Sequence, residues 1–498
     1  MLDNLGEKCG IFGVYGPGED VARLTFFGLH ALQHRGQESA GIATSDGRRL
    51  HLYAEMGLVS QVFDEDALLA LPGQAAIGHT RYSTTGSSVV CNAQPFHLKG
   101  PAGELAIAHN GNVVNADVMR TDLEARGVTF ETTSDTEVLG KLLVETDGED
   151  WNDRFAHLMR RSVGAYSLVI LTKEAVFAVR DPLGIRPLCI GRLNGSGYVF
   201  ASESCALDHL GAEFIREVQP GEVVRADADG LASFFPVGEP LPMTDGRPRQ
   251  TLCLFEFIYF ARPDSRLGGQ LLHPVRMRMG ARLAEEHPVE ADVVIGVPDS
   301  ATAAAIGYAQ ASGIPYAEGL VKNRYVGRTF IQPDQRLRER GVQLKFNPLR
   351  EILNGKRVVV VDDSIVRGTT TPRVVKMLRD AGATEVHMRI TSPPITHPCF
   401  YGVDMATRGE LIAANESVEE IRDHINADSL GYLSLQGTVL ATGLGLGQHC
   451  TACFSGEYPS EVPLQFDKFA LEDEAARPDH EIPLPAPEPA TLPLTVRA

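Results

Sequence analysis

Cysteine is scarce in this chain: eight in 498 residues, at positions 9, 91, 189, 205, 253, 399, 450 and 453. So sparse a set excludes a small disulfide-stapled scaffold. Long apolar runs are missing too, and none approaches the ~20 residues that a helix needs to cross a bilayer. The opening residues, Met1 to Lys8, lack the basic-then-apolar order of a secretory signal. Together these absences predict a cytoplasmic protein with reduced thiols and no membrane partner. Positive charge is also short. The 46 Lys and Arg stand against 64 Asp and Glu, a formal net charge of −18, which argues against a nucleic-acid binder. A polyanionic small molecule fits that balance only where a metal and local basic residues offset the field.

What is present is an ordinary folded composition, 43% hydrophobic and 22% charged. At ~150 residues per domain, the length allows two or three domains. Up to about residue 235, short β-type runs alternate with glycine turns, and helical periodicity predicts helices over Ala22–His34 and Thr136–Thr146. This reads as an α/β unit with mainly antiparallel sheets. Residues 236–250 are rich in proline and read as a linker. From residue 251 to about 460 the pattern changes to strand–loop–helix units. The runs Ala291–Val297, Lys356–Val361 and Glu385–Ile390 predict buried strands of a doubly wound parallel sheet, with ligands at their carboxyl ends. Residues 461–498 are acidic and then proline-rich, and are expected to form no packed structure.

Cys9 alone reads most simply as a core cysteine. Four further segments change that reading: Gly28-Leu-His-Ala-Leu-Gln-His-Arg-Gly-Gln-Glu38, His79-Thr-Arg-Tyr-Ser83, His109-Asn-Gly-Asn112 and Ser134-Asp-Thr-Glu137. In this order behind a cysteine they resemble the class II glutamine amidotransferase domain of the N-terminal-nucleophile hydrolases, an αββα sandwich, over residues 9–235. A thiol is only slightly ionised at neutral pH, and an α-amine with a pKa near ~8 can take its proton if the cysteine heads the mature chain. Residues 1–8 are therefore expected to be a propeptide. The resemblance makes Cys9 the nucleophile and assigns the Asn110 amide and the Gly111 N–H to the oxyanion. It assigns Arg81 to the α-carboxylate of glutamine and Asp135 to its α-ammonium. By itself, Asn110-Gly111 also reads as a hairpin turn. His30, His34, His79 and His109 read as structural.

The most informative stretch is Val358-Val-Val-Val-Asp-Asp-Ser-Ile-Val-Arg-Gly-Thr-Thr-Thr371. A buried strand runs into two carboxylates, then a Ser/Gly/Thr loop, then a helix from Pro372 to Ala381 with Gly382 as its cap. Loop N–H groups and hydroxyls at a helix start form a phosphate cradle, and paired carboxylates suit ribose hydroxyls or a hard cation. The stretch resembles the phosphoribosyl pyrophosphate (PRPP) motif of type I phosphoribosyltransferases. That resemblance puts Ser364, Arg367, Gly368, Thr369 and Thr370 on PRPP, and Asp362, Asp363 and Ser300 on magnesium. Lys322, Arg324 and the basic run through Arg336, Arg338, Arg340 and Lys345 read as a lid over a polyanion, or as a solvated charged face.

Cys450-Thr-Ala-Cys453 is open to zinc, an iron–sulfur cluster or a redox pair. Cys253 follows the linker, and Cys399 lies in Thr396-His-Pro-Cys-Phe-Tyr-Gly402. Both halves together resemble the glutamine–PRPP amidotransferase family, over about residues 1–460, and in particular its branch with a propeptide and four cysteines on a [4Fe–4S] cluster. The resemblance implies glutamine and PRPP as substrates and 5-phosphoribosylamine as the product that opens purine synthesis. It also implies purine-nucleotide feedback inhibitors and a homotetramer. Two alternatives are separable by sequence. Another class II amidotransferase would lack the Asp362-Asp363 loop, and a PRPP-sensing regulator with a vestigial glutaminase domain would have no use for Cys9.

Overall fold

The computed structural model describes residues 9–82, 88–146, 150–193, 195, 197–240, 249–323, 345–405, 407–462 and 471. Met1 to Lys8, Arg324, Arg336, Arg338 and Arg340 lie outside the described residues, as do much of the 236–250 linker and nearly all of the tail.

The first half is two stacked sheets between helices. One sheet has seven strands in the order Glu213–Glu217, Cys189–Arg192, Tyr198–Ala201, Gly10–Tyr15, Ala75–Arg81, Ser39–Ser45 and Leu50–Met56. The other has six: Gly230–Phe234, Val223–Asp227, Val176–Arg180, Gly164–Leu171, Gly103–Val113 and Phe96–Gly100. Neighbouring strands pair antiparallel. Gly10–Tyr15 is buried throughout because both its faces are covered. Ile11 and Tyr15 join the core between the sheets, whereas Phe12 and Val14 pack under helices Val21–Ala31 and Ser204–His209. Helices Ala116–Glu124, Asp135–Glu145 and Trp151–Arg161 cover the other outer face. The arrangement is an αββα sandwich.

The second half centres on four parallel strands in the order Val293–Gly296, Arg357–Asp362, Glu385–Ile390 and Ser429–Tyr432. Alternate side chains of one strand feed opposite cores. Val359 and Val361 meet helices Leu272–Glu286 and Thr302–Ser312, while Val358 and Val360 meet helix Thr371–Asp380. That is the doubly wound plan, and it explains why this strand reads as an unbroken apolar run. The halves share one core, since Ala165 and Ile185 pack in the same cluster as Leu252, Phe255 and Val359.

The helix expected through His34 ends at Ala31. The chain turns there, with the Arg35 N–H on the Leu32 carbonyl at 2.8 Å, and this sends the Arg35 side chain into the interior. The expected helix at Pro372 begins one residue earlier, at Thr371, and ends at Asp380 just before Gly382 (φ +103°).

Candidate active sites

Cys9 precedes the first strand and is 8% exposed. Its thiol donates to the Tyr82 carbonyl at 3.4 Å, and its own carbonyl accepts from Arg35 Nε at 3.1 Å. Burial pushes the thiol up to about 11; the Tyr82 hydrogen bond and the Arg81 charge oppose that rise, while Glu38 and Asp135 add to it. A resting thiol of this kind needs a base at the moment of attack. Strand Ala75–Arg81 pairs Thr80 with Gly10, which sets Arg81 beside the nucleophile. The Arg81 guanidinium is buried, 3.9 Å from Glu38.

Asn110 and Gly111 form no turn. They lie within strand Gly103–Val113, paired with Ser167 and Tyr166. Asn110 Nδ2 donates to Ser202 Oγ at 3.4 Å, and that hydroxyl also accepts from the Ile11 N–H at 3.0 Å. The amide is thereby tied to the start of the Cys9 strand. Gly111 has φ +152°, and a Cβ there would stand 1.9 Å from the Ala165 carbonyl oxygen, so only glycine fits. Asp135, the first residue of its helix, accepts from the Val113 N–H at 3.0 Å and lies 3.6 Å from His109 Nδ1. Burial would raise the Asp135 carboxyl, but the His109 charge and hydrogen bond, with two backbone N–H groups, bring it below its ordinary value. His79 bonds the His109 carbonyl at 3.1 Å and His34 meets Glu203 at 2.7 Å, both structural partners.

At the carboxyl end of the parallel sheet, Ser300 Oγ donates to Asp363 at 2.5 Å and Ser364 Oγ donates to its other oxygen at 2.6 Å. The Asp363 N–H is held by the Asp362 carboxylate at 2.9 Å. Burial raises the Asp363 carboxyl against these hydrogen bonds, an environment that a divalent cation would reverse. Gly368 lies over Ile412, Arg367 pairs with Glu410 at 2.6 Å, and Thr369 is exposed while Thr370 is buried. Lys322 reaches Asp299 at 2.7 Å on the rim of a cavity of about 410 Å³ lined by Gly296, Pro298, Ser300 and Tyr316. An exposed pair of this kind is readily exchanged for a phosphate.

The four cysteines expected to act together are neighbours. Cys253 and Cys450 pair across two short parallel strands, and the Cys453 carbonyl accepts from the N–H groups of Thr396 and His397, just before Cys399. Burial raises all four thiols; neighbouring cysteines add to the rise at Cys399, Cys450 and Cys453, and Glu256 adds to it at Cys253. Such a set exists as neutral thiols or as thiolates on a metal. Among the described residues no three His, Cys, Asp or Glu side chains converge on one ion. Four neighbouring buried thiols are a donor set that could hold a [4Fe–4S] cluster, each thiolate on a different iron, or a zinc ion.

A glutamine amidotransferase domain profile matches residues 79–209, and a phosphoribosyl transferase domain profile matches residues 271–391. The amidophosphoribosyltransferase of Synechococcus elongatus is 53% identical over 474 residues, covering 94% of each chain. That of Bacillus subtilis is 49% identical over 469 residues, covering 93% of this chain and 96% of its own. The chain belongs to the amidophosphoribosyltransferase family. Its reaction is that of the family, glutamine-dependent amination of PRPP in the first step of purine synthesis. Among solved structures, the allosteric regulatory enzyme of purine biosynthesis superposes with a TM-score of 0.85 at 48% identity, covering 92% of this chain and 97% of its own. The B. subtilis glutamine PRPP amidotransferase complexed with ADP and GMP gives a TM-score of 0.84 at 48% identity, covering 92% and 98%. Among the described residues no helix of this amidophosphoribosyltransferase family member is long and apolar enough to cross a membrane.

Several site neighbours escaped the sequence reading. Arg35 lies within the Gly28–Glu38 segment, where nothing in the local pattern marks it as buried. Arg186, Glu203 and Glu256 complete a buried ionic group around it, and Tyr82 donates to Asp404 at 3.3 Å between the halves. No local pattern announces contacts of this range.

Proposed function

We propose that Cys9, freed as the first residue by loss of residues 1–8, attacks the amide carbon of glutamine. Its α-amine takes the thiol proton and passes it to the departing ammonia. The Asn110 amide and the Gly111 N–H hold the oxyanion, where one donor typically contributes ~3–4 kcal/mol. Arg81 holds the α-carboxylate and Asp135 the α-ammonium. Water then releases glutamate from the thioester.

Ammonia attacks C1 of PRPP and pyrophosphate leaves. Ser364, Gly368, Thr369 and Thr370 cradle the 5-phosphate, with Arg367, Lys322 and Arg324 neutralising the polyanion. Asp362, Asp363 and Ser300 would hold magnesium, which when bound offsets charge on the leaving pyrophosphate. Cys253, Cys399, Cys450 and Cys453 would hold a [4Fe–4S] cluster as a cross-link, since neither half-reaction transfers electrons. We assign residues 9–235 to glutamine and 251–460 to PRPP. The relative complexed with ADP and GMP supports purine-nucleotide feedback. The homotetramer is proposed from family resemblance alone, and a cytoplasmic location from the sparse cysteine set.

The observation that carries this reading is the contact between the two halves beside the nucleophile. Tyr82, whose carbonyl accepts from the Cys9 thiol, donates to Asp404 of the second half at 3.3 Å, and the Arg367 guanidinium of the PRPP loop feels the charge of both Asp404 and Tyr82, which supports transfer of ammonia between neighbouring sites. Intact mass tests the amine-base step. Active enzyme is expected to begin at Cys9, and full activity in a chain that keeps Met1 to Lys8 would overturn it.

A further inference from the structure

The segment after Cys399 lies against the strand that carries Asn110 and Gly111. Asn112 Nδ2 donates to the Phe400 carbonyl at 2.9 Å, and both residues are buried. Tyr401 gives its carbonyl to Arg186, whose guanidinium faces Glu256 at 3.6 Å. Gly402, at φ +92°, lies so close that a Cβ there would stand 2.8 Å from both the carbonyl carbon and oxygen of Gly111. On its other side Gly111 abuts the Ala165 carbonyl. The Gly111 backbone is thus enclosed between Ala165 and Gly402, while the next side chain is anchored to Phe400.

We infer that the Phe400–Gly402 segment, by holding the Gly111 carbonyl and the Asn112 side chain, fixes the Gly111 backbone and so aims its N–H at the oxyanion, with Asn112 and Gly402 as positioning residues for the glutamine half-reaction. This rests on the assignment of Asn110 and Gly111 to the oxyanion. A glycine can rotate about φ and ψ more freely than any other residue, and a donor that wanders loses its advantage in the transition state. Pairing with the strand of Tyr166 limits that freedom, and two contacts from the second half limit it further: close approach of Gly402, which has no side chain to intervene, and the Asn112 hydrogen bond, which fixes the following residue. The glutamine site is therefore completed by backbone from the PRPP half of the chain.

The test uses the full chain carrying Gly402→Ala or Asn112→Ala. Glutamine-driven and ammonia-driven synthesis are measured in the same preparation, together with the binding of glutamate and of an aldehyde analogue of glutamine. The aldehyde carbon takes the Cys9 sulfur, and the carbonyl oxygen becomes the oxyanion or, once protonated, a hydroxyl. Each variant is expected to lose about tenfold or more in kcat with glutamine, up to the ~10²–10³-fold of a missing donor. KM for glutamine, glutamate binding and the ammonia-driven rate are expected to hold, while aldehyde affinity falls in parallel with kcat. A raised KM at unchanged kcat, a joint loss of both half-reactions, or unchanged aldehyde affinity would overturn the inference. If Gly402→Ala does not fold, Asn112→Ala decides. Asn110→Ala separates the two claims: an unchanged kcat there removes the oxyanion assignment itself, whereas a large loss there beside normal Asn112→Ala and Gly402→Ala overturns only the positioning role.

Discussion

Arg35 and Glu256, 221 residues apart in sequence, face each other at 2.8 Å with almost no exposure. The same guanidinium donates to the carbonyl of Cys9 at 3.1 Å and pairs with Glu203. Glu203 in turn accepts from the Arg262 N–H at 2.8 Å and from Ser265 Oγ at 2.7 Å. The backbone of the nucleophile therefore hangs on a cation whose counter-charges are fixed by the other half of the chain.

Removing one member of that group leaves buried charge without its partner. Glu256→Ala is expected to cost about 3–5 kcal/mol, the usual range for a broken buried pair. Denaturant unfolding of the full chain measures it. Glu256→Gln, which keeps an acceptor, should cost less, and a loss below ~1 kcal/mol in the alanine variant would show that solvent reaches the pair.

Asp362→Asn combined with Asp363→Asn is expected to cripple synthesis from glutamine and from ammonia alike, by ~10²-fold or more. Amides cannot supply the two negative charges that would face a cation and PRPP. Steady-state kinetics in both nitrogen sources checks this. Unchanged KM for PRPP and unchanged kcat would remove the phosphoribosyl assignment.

Anaerobically purified protein is expected to be brown, with about four irons and about four sulfides per chain. Cys450→Ala should lose the colour and lower the soluble yield, because the cross-link between Cys253 at the start of the second half and Cys453 near its end is broken. Elemental analysis is the check. One zinc with no iron or sulfide would replace the cluster and leave the enzyme standing.

Acid should weaken the glutamine half. Burial, then the Arg81 charge, holds the His79 imidazole down to about 3, so the fold keeps it neutral while the unfolded chain protonates near ~6.5. Between those values the unfolded chain binds the extra proton, and stability is lost as pH falls. His79→Asn, which keeps a donor for the His109 carbonyl but cannot titrate, is expected to flatten the decline of Tm between pH 6.5 and pH 4. An unaltered slope would contradict a neutral buried His79.

Much of this architecture is legible locally. Strand Arg357–Asp362 could be read to within a residue because both its faces are buried and carboxylates end it. Helix Asp135–Glu145 lies one residue before the Thr136–Thr146 that periodicity predicts, and Ser134 caps it through the Thr136 N–H. The Asn110-Gly111 pair reads by itself as a hairpin turn, and its place within a strand is set by Ser167 and Tyr166 on another strand. Illegible altogether were the joins between halves: Arg35 with Glu256, Tyr82 with Asp404, Asn112 with Phe400. Each depends on long-range packing and follows neither helical nor strand periodicity. A charged Arg35 predicts an exposed side chain until the carboxylates that bury it are found.

The most direct measurement is Cys9→Ala, assayed side by side with glutamine and with ammonia as the nitrogen source. The variant is expected to lose glutamine-driven synthesis and PRPP-dependent glutamate release while keeping ammonia-driven formation of phosphoribosylamine near the rate of the unsubstituted enzyme. Retention of glutamine-driven synthesis, or loss of both activities in a folded variant, would contradict a two-site enzyme with Cys9 as its nucleophile.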